Sequence, residues 1–382
     1  MRPVSDRWAA TIASSHAIET SVFASLGDEL LTMVPIIGGT ITYDVTARGR
    51  RRCQIAVPLR AEGRTWDPGS DPAHPLAAYG QRLHISTGVK HPGGATESLD
   101  QGRFLITSTR TDEVEGVVTV TGSDLMQLMQ ECRVVGNPWG GFGINTTYQE
   151  VIDHLSYVGL KNWWVEDPQI LFYSFAPGMV DRNIGAPMDI PERTDRMEPL
   201  ETLCAAWPAD MSVNDSGYLE FRPPVTKPAA QAVARIAGEA TGTLITRGRT
   251  QARQRVYNDV IARGTDPATG EQRALGIANK ATGPLSIFGP YGWITRWYDS
   301  PLLTTNAQAQ KTAQTLLARG LLYALTEEVT AVPNPALELN DTVDVVTATG
   351  GTFRGLISSI TLPLSASGGP MTLTVTTETG DT

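Results

Sequence analysis

Residues 326–377 read TEEVTAVPNPALELNDTVDVVTATGGTFRGLISSITLPLSASGGPMTLTVTT, and this stretch decides the fold. It holds four runs of strand-forming residues separated by prolines and glycines: Glu327–Val332, Asp341–Val346, Gly355–Leu362 and Met371–Thr376. The last run alternates strictly, so one face of that strand is apolar and the other carries hydroxyls. The pattern predicts an antiparallel sheet of consecutive strands that curls into a barrel and buries one face.

The composition favours a β-rich protein with several domains. The chain has 382 residues, of which 41% are hydrophobic, 37 are glycine and 25 are proline. This length predicts two or three domains, and the many turn residues fit short strands. The formal net charge of −9 argues against a nucleic-acid-binding protein, because neutralising phosphates requires clustered lysine and arginine. The two basic runs, Arg48–Arg52 and Arg247–Arg255, lie beside strand patterns and are interpreted as solvated or interface faces.

Cysteine usage and the N-terminus predict a protein that is made and folded in cytoplasm. Cys53, Cys132 and Cys204 are odd in number and far apart, so they fit neither a disulfide framework nor a zinc site. We expect them to be small buried residues in a reducing compartment. The first eight residues lack the apolar segment of a signal peptide, and no run is long enough to span a membrane.

The predicted fold class is mainly β with α+β insertions, arranged as two barrel-like β domains that flank a smaller α+β domain. Residues 1–138 are expected to form the first barrel-like domain, and 139–235 the α+β domain. Residues 236–382 are expected to form the second barrel-like domain, with an insertion at about 265–320. The glycine-rich stretch 136–143 is interpreted as the linker after the first domain.

Short-range patterns place individual elements along the chain. In the first domain they predict a helix over Ser5–Ala13 with Ser5 as N-cap, and a short helix capped by Ser123. The predicted strands there are Ile18–Ala24, Ile41–Ala47, Arg51–Val57, Leu83–Thr87, Phe104–Thr109 and Val114–Thr121. Thr147 and Glu150 have the spacing of a capping box, which predicts a helix that ends at Gly159.

The rest of the chain gives signals of the same kind. The predictions are a helix over Glu198–Trp207, a hairpin that pairs Met211–Val213 with Tyr218–Phe221, a strand over Arg255–Arg263 and a helix over Asn306–Leu322.

Residue chemistry predicts no catalytic, cofactor-binding or metal site. The sequence has no GxSxG, HExxH or P-loop motif. His84 and His91 are the closest histidine pair, but strand and loop placement gives them no metal geometry. Carboxylate pairs such as Asp112-Glu113 and Glu166-Asp167 could serve a glycosidase, although sequence neighbours diverge in direction and favour solvated turns. We therefore expect a protein that is not an enzyme.

Two aromatic groups leave three interpretations open. Trp163-Trp164 precede an acidic turn, and the second group comprises Tyr291, Trp293, Trp297 and Tyr298. Aromatic residues with this clustering pack in cores, form subunit interfaces or stack against sugars.

Several segments in order resemble the tail hub family of phages, the minor tail proteins of actinobacteriophage type, which is related in fold to the baseplate hub of contractile phages. The segments that carry the resemblance are Arg2–Asp6, Ser15-His16, Arg50–Arg52, Ala78–Gly80, Gly88-Val89, Leu99–Ile106, Val118–Asp124, Val256–Gly264, Pro333–Asp341, Ile360–Leu364 and Gly368–Thr372. They span nearly the whole chain. The tryptophan-rich stretch 283–298 departs from the family pattern.

The resemblance implies a structural protein of the virion tail tip, assembled in the host cytoplasm. Such hubs form homotrimers in which two tube domains per chain alternate around a pseudo-sixfold ring. The implied partners are the distal tail protein or tail tube hexamer, the tape measure protein and the fibre or spike proteins. DNA crosses the central channel without specific binding, and the acidic composition suits that passage.

Two alternative functions stay open. One is a carbohydrate-binding or cell-wall-hydrolysing tail component, which would use exposed tryptophans beside facing carboxylates. The other is the equivalent hub of a contractile injection particle or gene transfer agent, which sequence does not separate from the first hypothesis.

Overall fold

The computed structural model describes residues 1–27, 29–134, 141–160, 173–240, 242–254 and 256–378, without the side chains of 157–160. The helices are α1 Trp8–Ile12, α2 Met126–Glu131, α3 Tyr148–Leu160, α4 Met197–Ala206 and α5 Asn306–Leu321. The N-terminal strands are β1 Ala17–Leu26, β2 Glu29–Met33, β3 Gly38–Asp44, β4 Arg51–Pro58, β5 Arg60–Ala61, β6 Arg64–Thr65, β7 Gln81–Lys90, β8 Thr96–Asp112 and β9 Val117–Asp124. The remaining strands are β10 Tyr173–Phe175, β11 Asp210–Val213, β12 Leu219–Arg222, β13 Ala234–Ala237, β14 Leu244–Gln251, β15 Asp259–Thr265, β16 Gln272–Asn279, β17 Thr295–Asp299, β18 Leu325–Ala331, β19 Thr342–Val346, β20 Thr352–Pro363 and β21 Met371–Thr377.

One large sheet joins the two ends of the chain, and the predicted mainly β fold class is confirmed. Its strand order is β14-β18-β21-β20-β3-β4-β9-β8-β7-β1-β2, and β19 and β13 branch from β20. The two ends meet where Ser359–Pro363 of β20 pair antiparallel with Thr40–Asp44 of β3. The predicted closure into barrels is wrong: within the described residues the sheet stays open, because β2 and β14 end its path and each pairs on one side only.

Alternating side chains bury one face of this sheet in a single hydrophobic core. Ile41, Ile55 and Val120 from the N-terminal strands belong to the same buried cluster as Ile360 and Val375 from the C-terminal strands. Burying an aliphatic side chain contributes about 1.5–3 kcal/mol, so this shared core holds the terminal regions together.

The C-terminal stretch forms the predicted antiparallel strands, but their order differs from the expected consecutive one. β18 pairs with β21, while β19 pairs with β20. The connection from Val332 to Asp341 contains two prolines and contacts the N-terminal segment, where the Arg2 amide donates to the Ala336 carbonyl at 2.8 Å. Because this connection leads the chain away from β18, β19 does not pair with β18, and β21 pairs with β18 instead.

A second hydrophobic cluster forms what we call the middle unit, which comprises α3, α4, α5, β10–β12 and β15–β17. Phe142 and Leu203 lie in the same buried cluster as Val260 and Ala313. The predicted insertion at about 265–320 therefore packs with the preceding α+β segment. The exact limits of the three domains stay a prediction.

α5 lies directly on β16 because small residues line the contact. A Cβ atom on Gly276 would lie 2.2 Å from the backbone of Ala309. The helix begins as predicted at Asn306, and the Thr305 side chain accepts the Gln308 amide as its N-cap.

Local signals had mixed outcomes. The capping box is confirmed: the Thr147 amide donates to Glu150 at 2.7 Å, and the Glu150 amide donates to the Thr147 hydroxyl at 3.2 Å. The prediction that Ser5 caps α1 is wrong, because Ser5 donates to the Glu97 carboxylate instead. Ser123 does not cap α2; Asp124 accepts the Met126 amide.

Phe142 of the predicted linker is buried, whereas 135–140 lie outside the described residues.

Candidate assembly surfaces

The groups considered for chemistry have structural partners. Within the described ranges, no three histidine, cysteine, aspartate or glutamate side chains converge as metal ligands. His84 contacts Ser25 at 2.8 Å, while His91 lies between Thr11 and Glu97. Asp112 accepts the amides of the two residues that follow Glu113, which makes it a turn residue. Glu166 and Asp167 lie outside the described residues.

The three cysteines are free thiols with different exposures. Cys53 and Cys204 are buried as expected, whereas Cys132 is half-buried. Burial raises the pKa of Cys53 to about 12 and also raises that of Cys204, so both stay protonated at neutral pH. No helix in the described part of the chain is both long enough and apolar enough to cross a bilayer.

The first basic run connects the large sheet to the middle unit. Arg48 donates to Asp195 at 3.1 Å and to Glu201 at 2.9 Å, while Arg50 donates to Asp210 at 3.3 Å. Asp195 also accepts the Glu198 amide at 2.9 Å and so caps α4. We call Arg48, Arg50 and Arg51 the junction arginines, because each pairs with an acidic residue of the middle unit.

A second part of this junction centres on Asp215, in the turn between β11 and β12. Arg2 donates to its two carboxylate oxygens at 3.0 and 3.1 Å, and Arg51 also pairs with it. Both guanidinium groups lie against Tyr43, 6.0 and 5.7 Å from the ring centroid. Burial raises the pKa of Asp215, but the charges of Arg51 and Arg2 outweigh burial and hold the pKa below its ordinary value.

The first two arginines of the second basic run, Arg247 and Arg249, lie on the edge strand β14. Arg247 and Arg249 both donate to Glu327 of β18, with Arg249 at 2.9 and 3.0 Å. The Glu327 side chain is fully buried, whereas that of Arg249 is 50% exposed. We call these two the edge arginines, because β14 ends the path of the sheet.

The two strands that end the path of the sheet expose apolar side chains. On β2, Leu30 is 61% and Met33 53% exposed, and Ile245 of β14 is 56% exposed. Unpaired edges that also expose aliphatic residues are sites for pairing with another chain.

In the second aromatic group, the two tyrosines are packed against the protein and the two tryptophans are exposed. Tyr291 donates to the Val256 carbonyl at 3.0 Å, and Tyr298 packs against the middle core. Trp293 and Trp297 are 59% and 56% exposed. Trp163 and Trp164 lie outside the described residues.

Trp297 belongs to an apolar row across the open face of a three-stranded sheet. Ile277 of β16, Ile261 of β15 and Trp297 of β17 are directly paired neighbours. The guanidinium of Arg263 lies 4.9 Å from the Trp297 ring centroid and donates to Asp299 at 2.7 Å.

Sequence reasoning identified both arginine runs but missed their acidic partners. Asp195, Asp210 and Asp215 lie 147, 160 and 164 positions from their junction arginines, and no local pattern marks Asp210 or Asp215 as a partner. Asp195 carries one usable signal, since it precedes a predicted helix at the capping distance.

The sequence matches no protein-family model and no curated protein. Its fold is similar to that of solved tail proteins over nearly the whole of each chain. A tail protein from Neisseria meningitidis MC58 is 13% identical with a TM-score of 0.61, and the match covers 94% of this chain and 96% of that chain. The 43 kDa tail protein of prophage MuSo2 from Shewanella oneidensis is 14% identical with a TM-score of 0.57, covering 94% and 98%. Prophage tail protein gp18 from Listeria monocytogenes EGD-e is 9% identical with a TM-score of 0.56, covering 94% and 95%. The chain therefore has the fold of these tail proteins.

Proposed function

We propose that this chain is a structural tail hub protein of the actinobacteriophage minor tail type. In this proposal it forms a homotrimeric, pseudo-sixfold ring at the virion tail tip, has no enzymatic activity and is assembled in the host cytoplasm. The whole-chain likeness to three tail proteins, two of them from prophages, supports the fold of such a component.

The open sheet is the observation that carries the ring. β2 and β14 end its path, so β2 of one copy can pair with β14 of the next. Such a head-to-tail contact uses two different surfaces and closes into a ring when the rotation allows. Glu29 on β2 and the half-exposed Arg249 on β14 have opposite charges, which favours this pairing over contact between identical edges.

The proposed ring connects the tail tube hexamer or distal tail protein to the fibre or spike, and contacts the tape measure protein. The acidic chain suits a channel that DNA crosses without binding, because like charges repel. The hub of a contractile particle or gene transfer agent would have the same ring, and a neighbouring sheath gene would separate that alternative.

The mass of the purified chain tests the ring. We expect native mass spectrometry to give about 123 kDa, the mass of three 41.1 kDa chains. Leu30→Asp should yield monomers, because it places a charge on an apolar edge. Val180→Asp is the matched control, since Val180 is 73% exposed in a loop of the middle region. A monomeric wild-type protein would contradict the ring.

Carbohydrate binding is a second candidate function, which the exposed Trp293 and Trp297 favour. Binding of purified host-envelope glycans to the wild type and to Trp297→Ala, measured by calorimetry, tests it. A tryptophan-dependent heat of binding supports this function, and the absence of heat with both proteins counts against it.

A further inference from the structure

A cleft of about 710 Å³ lies between the large sheet and the middle unit, and none of the contacts described above fills it. Its lining residues include the segment after β3 and part of strand β20 on the side of the large sheet, and residues of β11, β17 and α5 on the side of the middle unit. This volume accommodates several residues of an extended peptide, since binding clefts span about 300–1,000 Å³.

The cleft is basic within an acidic protein. Its charged lining residues are Arg50, Arg296, Arg319 and Asp210. Burial raises the pKa of Asp210, but the charges of Arg319 and Arg50 outweigh burial and keep the pKa below its ordinary value. One carboxylate is thus shared by two guanidinium groups, and Arg296 is an exposed third, so the lining has an excess of two positive charges.

The uncharged lining combines apolar walls with hydrogen-bonding groups. Val45, Val225 and Leu356 supply aliphatic surface, while Tyr257 and Tyr323 are aromatic. The Tyr257 ring has Arg296 at 5.9 Å from its centroid. Arginine and tyrosine around apolar walls are the composition of binding hot spots.

We propose that this cleft binds an acidic peptide segment of a partner protein. Its carboxylates would pair with the three arginines, and its intervening apolar side chains would contact the aliphatic walls. A nucleic acid fits less well, because its continuous phosphates would bring negative charge against Asp210. A peptide avoids this conflict by placing an apolar residue there. The inference goes beyond the ring and does not depend on it.

Fluorescence anisotropy with a labelled octapeptide of alternating glutamate and leucine tests the proposal on the purified full chain. Arg296→Ala should weaken binding about tenfold, since it removes one charge-assisted contact. The fold should persist, because Arg296 has a ring contact and no ion pair among the described residues. Near-ultraviolet circular dichroism checks this.

Arg60→Ala is the matched control. Arg60 is an exposed arginine on β5, which follows β4, whereas Arg50 of the cleft lies just before β4. We expect it to bind like the wild type, and the corresponding lysine–leucine octapeptide should not bind. Equal binding by Arg296→Ala and Arg60→Ala would overturn the proposal. Tighter binding of an eight-nucleotide oligothymidylate would overturn it as well, in favour of a nucleic-acid site. Either result leaves the mass of the ring untouched, so the two proposals can fail separately.

Discussion

The junction arginines and the edge arginines look alike in sequence and differ in what they do. Both runs lie in or beside a strand and pair with carboxylates. The junction arginines bind acidic residues of the middle unit, so they fix one part of the molecule to another. The edge arginines share one carboxylate of the adjacent strand, which leaves Arg249 half-exposed on a free edge.

The difference shows that the sequence of a basic run does not by itself indicate what its arginines bind. The position of its strand in the sheet decides whether the charges are used within the chain or are available to a neighbour. Four substitutions test this contrast, in order of decreasing expected effect.

Asp215→Ala should cost the most stability. It leaves Arg2 and Arg51 without a carboxylate at sites where their side chains are 5% and 13% exposed. Breaking a buried pair in this way costs about 3–5 kcal/mol, measured by urea unfolding. Asp299→Ala, which removes the exposed partner of Arg263, should cost about 1 kcal/mol or less. Equal losses would contradict the assignment of Asp215 as the centre of the junction.

Asp124 should give the junction a pH dependence of opposite sign to that of its salt bridges. Buried Asp124 accepts the Arg51 amide at 3.0 Å, and burial raises its pKa to about 6. The folded protein therefore binds a proton that the unfolded chain releases between about pH 4 and pH 6, so this contribution to stability grows as the pH falls through 6.

Urea unfolding of the wild type and Asp124→Asn at two pH values measures this effect. From pH 7 to pH 4.5 the wild type should gain about 2 kcal/mol relative to the variant. Asp215 has a lowered pKa, so its contribution is lost only below its ordinary value, outside this window. Parallel pH profiles for the two proteins would show that Asp124 does not titrate there.

Glu327→Gln should have a smaller effect than Asp215→Ala. The buried carboxylate loses its charge, but the amide keeps a hydrogen bond and Arg249 can turn to solvent. We expect a loss of about 1.5 kcal/mol in the free energy of unfolding. The adjacent Glu328 is exposed, and Glu328→Gln should change stability by less than about 0.5 kcal/mol. If both variants match the wild type, the edge arginines contribute nothing to the chain itself.

Arg48→Ala should have the smallest effect. Its side chain is 42% exposed, so its pairs with Asp195 and Glu201 are screened by solvent. The expected loss is about 1 kcal/mol in thermal or urea unfolding. Arg52→Ala, at an exposed position on the following strand β4, serves as the control and should be neutral. A loss as large as that for Asp215→Ala would mean that the exposure of an ion pair does not determine how much it contributes to the stability of the junction.

Local features of the fold could be predicted from the sequence because their partners are close along the chain. The capping box needed only Thr147 and Glu150, three positions apart. Alternation identified the C-terminal strands, since burial on one face imposes a period of two. These signals give element type and position to within a few residues.

Long-range arrangement could not be predicted in the same way. Ser5 binds Glu97, 92 positions away, instead of capping its helix. The pairing of β18 with β21 depends on where the proline-containing connection goes, and the acidic partners of the junction arginines come from a separate unit. Of the candidate surfaces, the exposed tryptophans had a sequence signal, whereas the free edges and the basic cleft emerge only from topology.

The central claim, that β2 of one copy pairs with β14 of the next, is tested most directly by amide hydrogen exchange followed by mass spectrometry. In the wild type, residues 29–33 and 244–251 should both be protected, although neither strand has a second partner among the residues that the structure describes. In Leu30→Asp both segments should lose protection together, while the core strands stay unchanged. Rapid exchange of either segment in the wild type, or loss confined to β2 in the variant, would contradict pairing between the two edges.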